Sequence, residues 1–177
     1  MWAQDTHGYV IVTYLVTRPN QNQTIKYTLA YIREKIIGIS KNVQERTQML
    51  NDTFERKDMK GRSPIFFALW NTEIFKFLIE ECCPSGVSLL EDRDNNGTSI
   101  ALCAARNDST DVLEYIVEKA PSGTDILKVK DDKGFPVFDY ARNREKGCKN
   151  TRVYKWRSME FLRELNLVTP EERTCGY

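Results

Sequence analysis

The 177-residue chain contains a single histidine, His7. A Ser-His-Asp or Cys-His catalytic system would have to be built around that one side chain. No glycine-rich phosphate loop is present, because the turn glycines stand alone. The sequence is therefore read as non-catalytic. The cysteines Cys82, Cys83, Cys103, Cys148 and Cys175 are odd in number and contain no C-x-x-C. A structural zinc site needs four suitably spaced ligands, so no metal and no cofactor is expected. Reduced thiols are the simplest reading, with Cys103 packed in a core. No stretch is long and apolar enough to span a bilayer. The run Tyr9 to Val16 is too short, and the N-terminus lacks a basic leader. No membrane association is expected, and the expected location is cytoplasm or nucleus. Nor does one sign of charge dominate: the net charge is +1 although 29% of residues are charged. That balance disfavours a wholesale polyanion binder.

What the sequence does have is a repeat. The pattern Asp-x-x-Gly occurs at Asp5–Gly8, Asp58–Gly61, Asp94–Gly97 and Asp131–Gly134, and the last three glycines are 36 and 37 residues apart. Aspartate accepts backbone hydrogen bonds in a tight turn, and glycine takes positive φ there. An apolar stretch follows each turn. In Ser63-Pro64, the serine is placed to cap a helix whose first turn holds the proline. That helix is expected to run through Ile65 to Trp70. A second helix carries Ile74, Phe75, Leu78 and Ile79 as one stripe. The next unit has Ser99, then Ile100 to Ala105, then Asp111 opening a helix with Val112, Leu113, Ile116 and Val117. Such short helices are unstable alone, but stacked units can share a core.

Thr98-Ser99 through Ala104-Ala105, followed by Asp111 to Glu118, resembles an ankyrin repeat. Ser63-Pro64-Ile65 and Phe135-Pro136-Val137-Phe138-Asp139-Tyr140-Ala141-Arg142 resemble the same family's helix starts. The resemblance covers residues 55–165 best and implies an all-α ankyrin-repeat solenoid with β-turn fingers. The expected organisation is a degenerate capping repeat with an inserted connection over 1–57. Repeats follow over 58–93, 94–130 and 131–165, the last with a basic insertion, and then a tail over 166–177. The family's usual histidine is replaced by Phe66, Leu102 and Asp139, so its bonds between turn and helix are expected to be missing. Two residues are lacking between Leu69 and Glu73, which requires a tighter turn.

The resemblance implies a module that binds another protein through a concave face of turn tips and inner helices. By position, that face holds Met59, Lys60, Asn95, Asn96, Asp132 and Lys133 at the tips. Trp70, Asn71, Arg106 and Asn107 lie at the helix ends. Trp70 is read either as a partner contact or as core packing beside Phe66 and Phe67. As a contact, its removal would weaken capture and leave stability nearly intact. A basic segment holds Arg142, Arg144, Lys146, Lys149, Arg152, Lys155 and Arg157 against one acid, Glu145, a net of +6. It could dock an acidic protein or RNA, or be a solvated insertion. No RNA-binding module pattern accompanies it, so a protein partner is favoured over nucleic acid. The apolar stripe Ile25, Leu29, Ile32 and Ile36 marks a helix beginning near Thr24. It is either the outer helix of the first unit or a partner-binding helix, in which case the chain is a subunit of a larger assembly. Whether the chain associates with itself is left open by the sequence.

Overall fold

The computed structural model describes residues 4–18, 21–143 and 157–167. These residues are mainly helical, and among them the one β feature is an isolated bridge between Arg93 and Ser99. Two compact units are present, residues 1–89 and 90–177.

In the first unit, the turn at Asp5 leads into α1 (Ile11–Val16) and then α2 (Asn22–Ile39). Ile25, Leu29, Ile32 and Ile36 all lie on the buried face of α2, which packs on the following elements. Thus the apolar stripe belongs to the outer helix of the first unit. The inserted connection is helical too: α3 (Val43–Leu50), capped by the Asn42 side chain, runs into a wider π-turn at Asn51–Glu55. The second turn, at Asp58, leads to a four-residue 3₁₀ segment, Pro64–Phe67, and then α4 (Thr72–Phe77), continued by a π-turn at Leu78–Cys82.

Two details of this unit depart from expectation. The inner segment ends at Phe67 and does not reach Trp70 as a helix. With two residues fewer, the chain must turn early, and Asn71 caps α4 by accepting from the Glu73 and Ile74 amides at 3.1 Å. Ser63 sits at the cap position with Pro64 in the first turn, but its hydroxyl makes no capping bond. The tighter 3₁₀ winding gives the Phe66 amide to the Ser63 carbonyl at 3.1 Å instead. The Ser63 hydroxyl is left buried without a partner.

The second unit holds α5 (Ile100–Arg106), α6 (Thr110–Lys119), a 3₁₀ segment at Gly123–Lys128, α7 (Val137–Asn143) and α8 (Arg157–Glu164). Here Ser99 does cap its helix, accepting from the Leu102 amide at 3.2 Å. Ala101, Ala104 and Ala105 are fully buried, and α5 packs closely on α7 as small side chains permit. The last outer helix, α8, is fastened to the start of α6. Asp108 accepts from the Ser158 amide at 2.9 Å, and Leu162 is buried.

A second repeated clamp lies on the outer side. Pro-Ser-Gly recurs at 84–86 and 121–123. The Glu55 carboxylate accepts from the Ser85 amide and hydroxyl at 2.7 Å, and Glu91 accepts from the Ser122 amide at 2.9 Å. In each unit, a glutamate three residues before one turn therefore pins the end of the following outer helix. Of the cysteines in the described residues, Cys82 and Cys83 are the buried pair, and Cys103 is only half-buried. Cys103 is thus not the core thiol that was expected. Burial pushes the Cys82 thiol up to about 12 and that of Cys83 well above its ordinary value.

Candidate functional site

All four Asp-x-x-Gly turns are built identically. One carboxylate oxygen of Asp5, Asp58, Asp94 and Asp131 accepts from the amides two and four residues on, at 2.8–3.0 Å. Each aspartate carbonyl also accepts from the turn glycine's amide. The turns then stack within each unit. The Met59 amide donates to the His7 carbonyl at 3.2 Å, and the Asp132 amide donates to the Asn96 carbonyl at 3.1 Å.

At the first, second and fourth turns the link between turn and inner helix, expected to be missing, is supplied by other residues. Nine positions after the aspartate stand Tyr14 in the first turn and Tyr140 in the fourth. Their hydroxyls donate to the second carboxylate oxygen, Tyr14 to Asp5 and Tyr140 to Asp131 (2.8 Å for the latter). In the second turn the ninth position is Phe67. There the Arg62 guanidinium donates to Asp58 at 2.8 and 3.0 Å and lies 4.6 Å from the centre of the Phe67 ring. A phenol one residue after the family's histidine position thus does the histidine's work. The sequence signal was available, since Asp5–Tyr14 and Asp131–Tyr140 share one spacing.

These bonds set the charge states. The Tyr14 hydroxyl, joined by the Tyr9 and His7 amides, holds the Asp5 carboxyl below its ordinary value against the opposing effect of burial. Burial pulls Asp131 upward, but the Phe135 amide, the Tyr140 hydroxyl and the Lys133 amide outweigh it, and the net shift is down. Burial raises the Tyr140 phenol, the Thr98 hydroxyl opposes it, and the Asp131 carboxylate adds to the rise, so the net shift is up. A lowered carboxyl contributes stability above its unfolded value and loses it as the pH falls through the folded one. A raised phenol contributes below its unfolded value and loses it as the pH rises through the folded one. Stability should therefore be flat between about pH 5 and 8, falling on the acid side through these carboxylates and on the alkaline side first through the buried Cys82 and Cys83 thiols and then the phenols. Tyr140→Phe should cost about 1 kcal/mol at neutral pH. It should also shift the acid limb of a melting-temperature profile to higher pH. An unchanged acid limb would mean the hydroxyl does not hold the carboxylate.

In the first unit the turns and inner segments bring aromatic side chains together. Tyr9 meets Tyr14 and Phe67 edge-on, with ring centres 5.9 and 5.4 Å apart, and His7 stacks on Tyr9. The Arg62 guanidinium also donates to the Tyr9 hydroxyl at 3.1 Å. In the same unit, large apolar side chains remain open to solvent: Ile11 and Tyr14 at 48%, Met59 at 72% and Trp70 at 41%. Sequence reasoning found Met59 and Trp70 and missed Tyr9, Tyr14, Phe67 and Ile11. Trp70 is neither a free contact nor core. Its indole N–H donates to the Val16 carbonyl at the end of α1, at 2.6 Å. Removing it strands a helix-end carbonyl, so Trp70→Ala would disturb stability as well as any binding.

The remaining expected contacts are placed as follows. Lys60, Asn95, Asn96, Asp132 and Lys133 are exposed at turn tips, and Arg106 and Asn107 are exposed at the end of α5. Asn71 is half-buried, capping α4 and donating to Asn22 at 2.5 Å. Of the basic segment, Arg144, Lys146, Lys149, Arg152 and Lys155 lie outside the described residues. Arg142 is half-buried on α7, and Arg157 is ion-paired with Asp111 at 3.0 Å. Among the described residues, no group of three or more His, Cys, Asp or Glu side chains is placed to hold a metal, and no helix is long and apolar enough to cross a membrane.

No protein-family profile matches the chain, and no curated protein matches it. Solved structures do. The ankyrin repeat domain of Bcl-3, described as a unique member of the IkappaB protein family, superposes with a TM-score of 0.57 at 14% identity. The match covers 89% of this chain and 57% of that one, so this chain spans little more than half the length of its structural neighbour. With four like-built turns, helical pairs behind them and this neighbour, the chain has the ankyrin-repeat fold.

Proposed function

We propose that the chain is a non-catalytic protein-interaction module, an adaptor, inhibitor or scaffold acting inside the cell. It grips its partner by the turn tips and inner helices. The repeat frame proposed for it is 58–93, 94–130 and 131–165, preceded by the degenerate repeat of 1–57 and followed by a tail over 166–177. The observation that carries the reading is the open apolar surface on the first unit. Ile11, Tyr14, Met59 and Trp70 stand exposed on turn and inner segments of the unit whose aromatic cluster is held by Asp5, Asp58 and Arg62. Rigid aromatics offer large contact area at little entropic cost, and they dominate binding hot spots. The second unit, taken by itself, carries Asn95, Asn96, Arg106, Asn107, Asp132 and Lys133 at its tips and helix end, exposed polar groups that suit hydrogen bonding to a protein partner. A protein partner is the class that such a surface fits.

The test uses exposed residues that leave the turn bonds intact. Affinity purification followed by mass spectrometry should recover a partner with the native chain. The double substitution Ile11→Glu and Met59→Glu should lower its recovery at least tenfold, with a melting temperature within roughly 2 °C of native. Recovery undiminished by the double substitution would remove this face from consideration.

A further inference from the structure

Helix α2 has two faces. Ile25, Leu29, Ile32 and Ile36 bury one of them. On the opposite side a second line of residues, Tyr27, Tyr31, Glu34 and Gly38, follows four-three-four spacing, the period of a helix–helix seam. Tyr27 is 68% exposed and Tyr31 63%, and Ile39 and Val43 beyond them are equally open. Two fully presented tyrosines on the outer helix serve neither the core nor the face made by turns and inner helices. The Lys35 ammonium lies 5.2 Å from the centre of the Tyr31 ring and so steadies it. A β-carbon built on Gly38 meets nothing within 4 Å, so that point of the seam is bare helix backbone open to solvent.

We infer that α2 pairs antiparallel with α2 of a second copy of this chain. The seam is self-complementary in that direction alone. With the two-fold axis between Ile32 and Arg33, Tyr27 of each copy falls on Gly38 of the other, a large ring over a position with no side chain. Tyr31 falls on Glu34 of the other, a phenol that donates to a carboxylate. Both contacts occur twice, as an isologous interface demands. In a parallel pair Tyr27 would meet Tyr27, and Glu34 would meet Glu34 as like charges. The two tyrosines and Ile39 present on the order of 300 Å² on each copy, against roughly 800 Å² for a standard interface. The association is accordingly weak and should appear only at high chain concentration.

Sedimentation of the full chain from 5 to about 500 μM tests this. The average mass should rise from the 20.6 kDa monomer toward twice that value. The exposed-face double substitution Tyr27→Ser and Tyr31→Ser should stay monomeric throughout, with an unchanged melt. Register is read separately by disulfide trapping. Tyr27→Cys mixed with Gly38→Cys should cross-link between chains, while either variant alone should do so far less, because like positions lie roughly 16 Å apart along the helices. A chain that is monomeric at every concentration overturns the proposal and leaves the face to an unrelated protein. So does a dimer that survives the double substitution, or cross-linking as fast in either single variant as in the mixture. None of these outcomes bears on the turn and inner-helix face.

Discussion

Asp58→Ala should lower the stability of the first unit by about 3–5 kcal/mol, the largest effect expected of any polar substitution in this chain. The carboxylate is 3% exposed and accepts four hydrogen bonds: the Lys60 and Arg62 amides on one oxygen, and two guanidinium nitrogens on the other. Alanine leaves both amides and the guanidinium of Arg62, whose side chain is 24% exposed, without their acceptor. Because Arg62 also holds the Tyr9 hydroxyl and covers Phe67, the loss extends into the aromatic cluster. For a chain of this size the melting temperature should fall on the order of 10 °C. Asp58→Asn keeps an acceptor for the two amides and removes the charge, so it should lie between native and alanine. As a control, Asp125→Ala breaks an ion pair with Lys128 in which both side chains are more than 60% exposed. It should change the melt by no more than roughly 2 °C. A drop for Asp58→Ala as small as the control's would mean that the turn does not depend on its aspartate.

The turns were the legible part of this sequence, for a physical reason. A bend that needs positive φ at one position and a short acceptor three residues earlier admits few residue types, so Asp-x-x-Gly marks it wherever it occurs. The stripes of α2, α4 and α6 were legible because burial on one side of a helix imposes its own period. What could not be read was anything settled by more distant neighbours. The inner segment at Pro64–Phe67 winds as 3₁₀ because the chain must reach Asn71 two residues sooner, and a propensity reading of Ile65 to Trp70 carries no such constraint. Trp70 looked like a choice between surface and core. Its position is set by a carbonyl 54 residues away, which no local pattern encodes. The roles of Tyr14 and Tyr140 were hidden because the family's histidine position holds neither of them, and the phenol that reaches the carboxylate stands one residue later. The Glu–Ser clamps fall in the same class: Pro-Ser-Gly repeats visibly, but its partner lies about thirty residues earlier.

The stacking of one turn on the next makes a sharper demand than the bend itself, and a pair of glycines separates the two. Gly8 and Gly134 have nearly the same backbone, φ +84 and +85. A β-carbon at Gly134 meets nothing within 4 Å. One at Gly8 comes within 3.0 Å of the Met59 nitrogen and 3.1 Å of the Asp58 α-carbon. Both Gly8→Ala and Gly134→Ala carry the left-handed cost of about 1–2 kcal/mol. Only Gly8→Ala also forces backbone apart, because the neighbouring atoms belong to the main chain of the next turn and cannot rotate away. It must lengthen the bond from the Met59 amide to the His7 carbonyl, already 3.2 Å, and disturb the two residues that flank the aromatic cluster. Overpacking of that kind adds about 1–3 kcal/mol. Urea unfolding of the two variants should therefore show Gly8→Ala losing about 2 kcal/mol more than Gly134→Ala, with the excess confined to the first unit. Equal losses would mean that the turns of this unit tolerate separation, and that the surface carrying Met59, Tyr14 and Ile11 is held by the helices behind it alone.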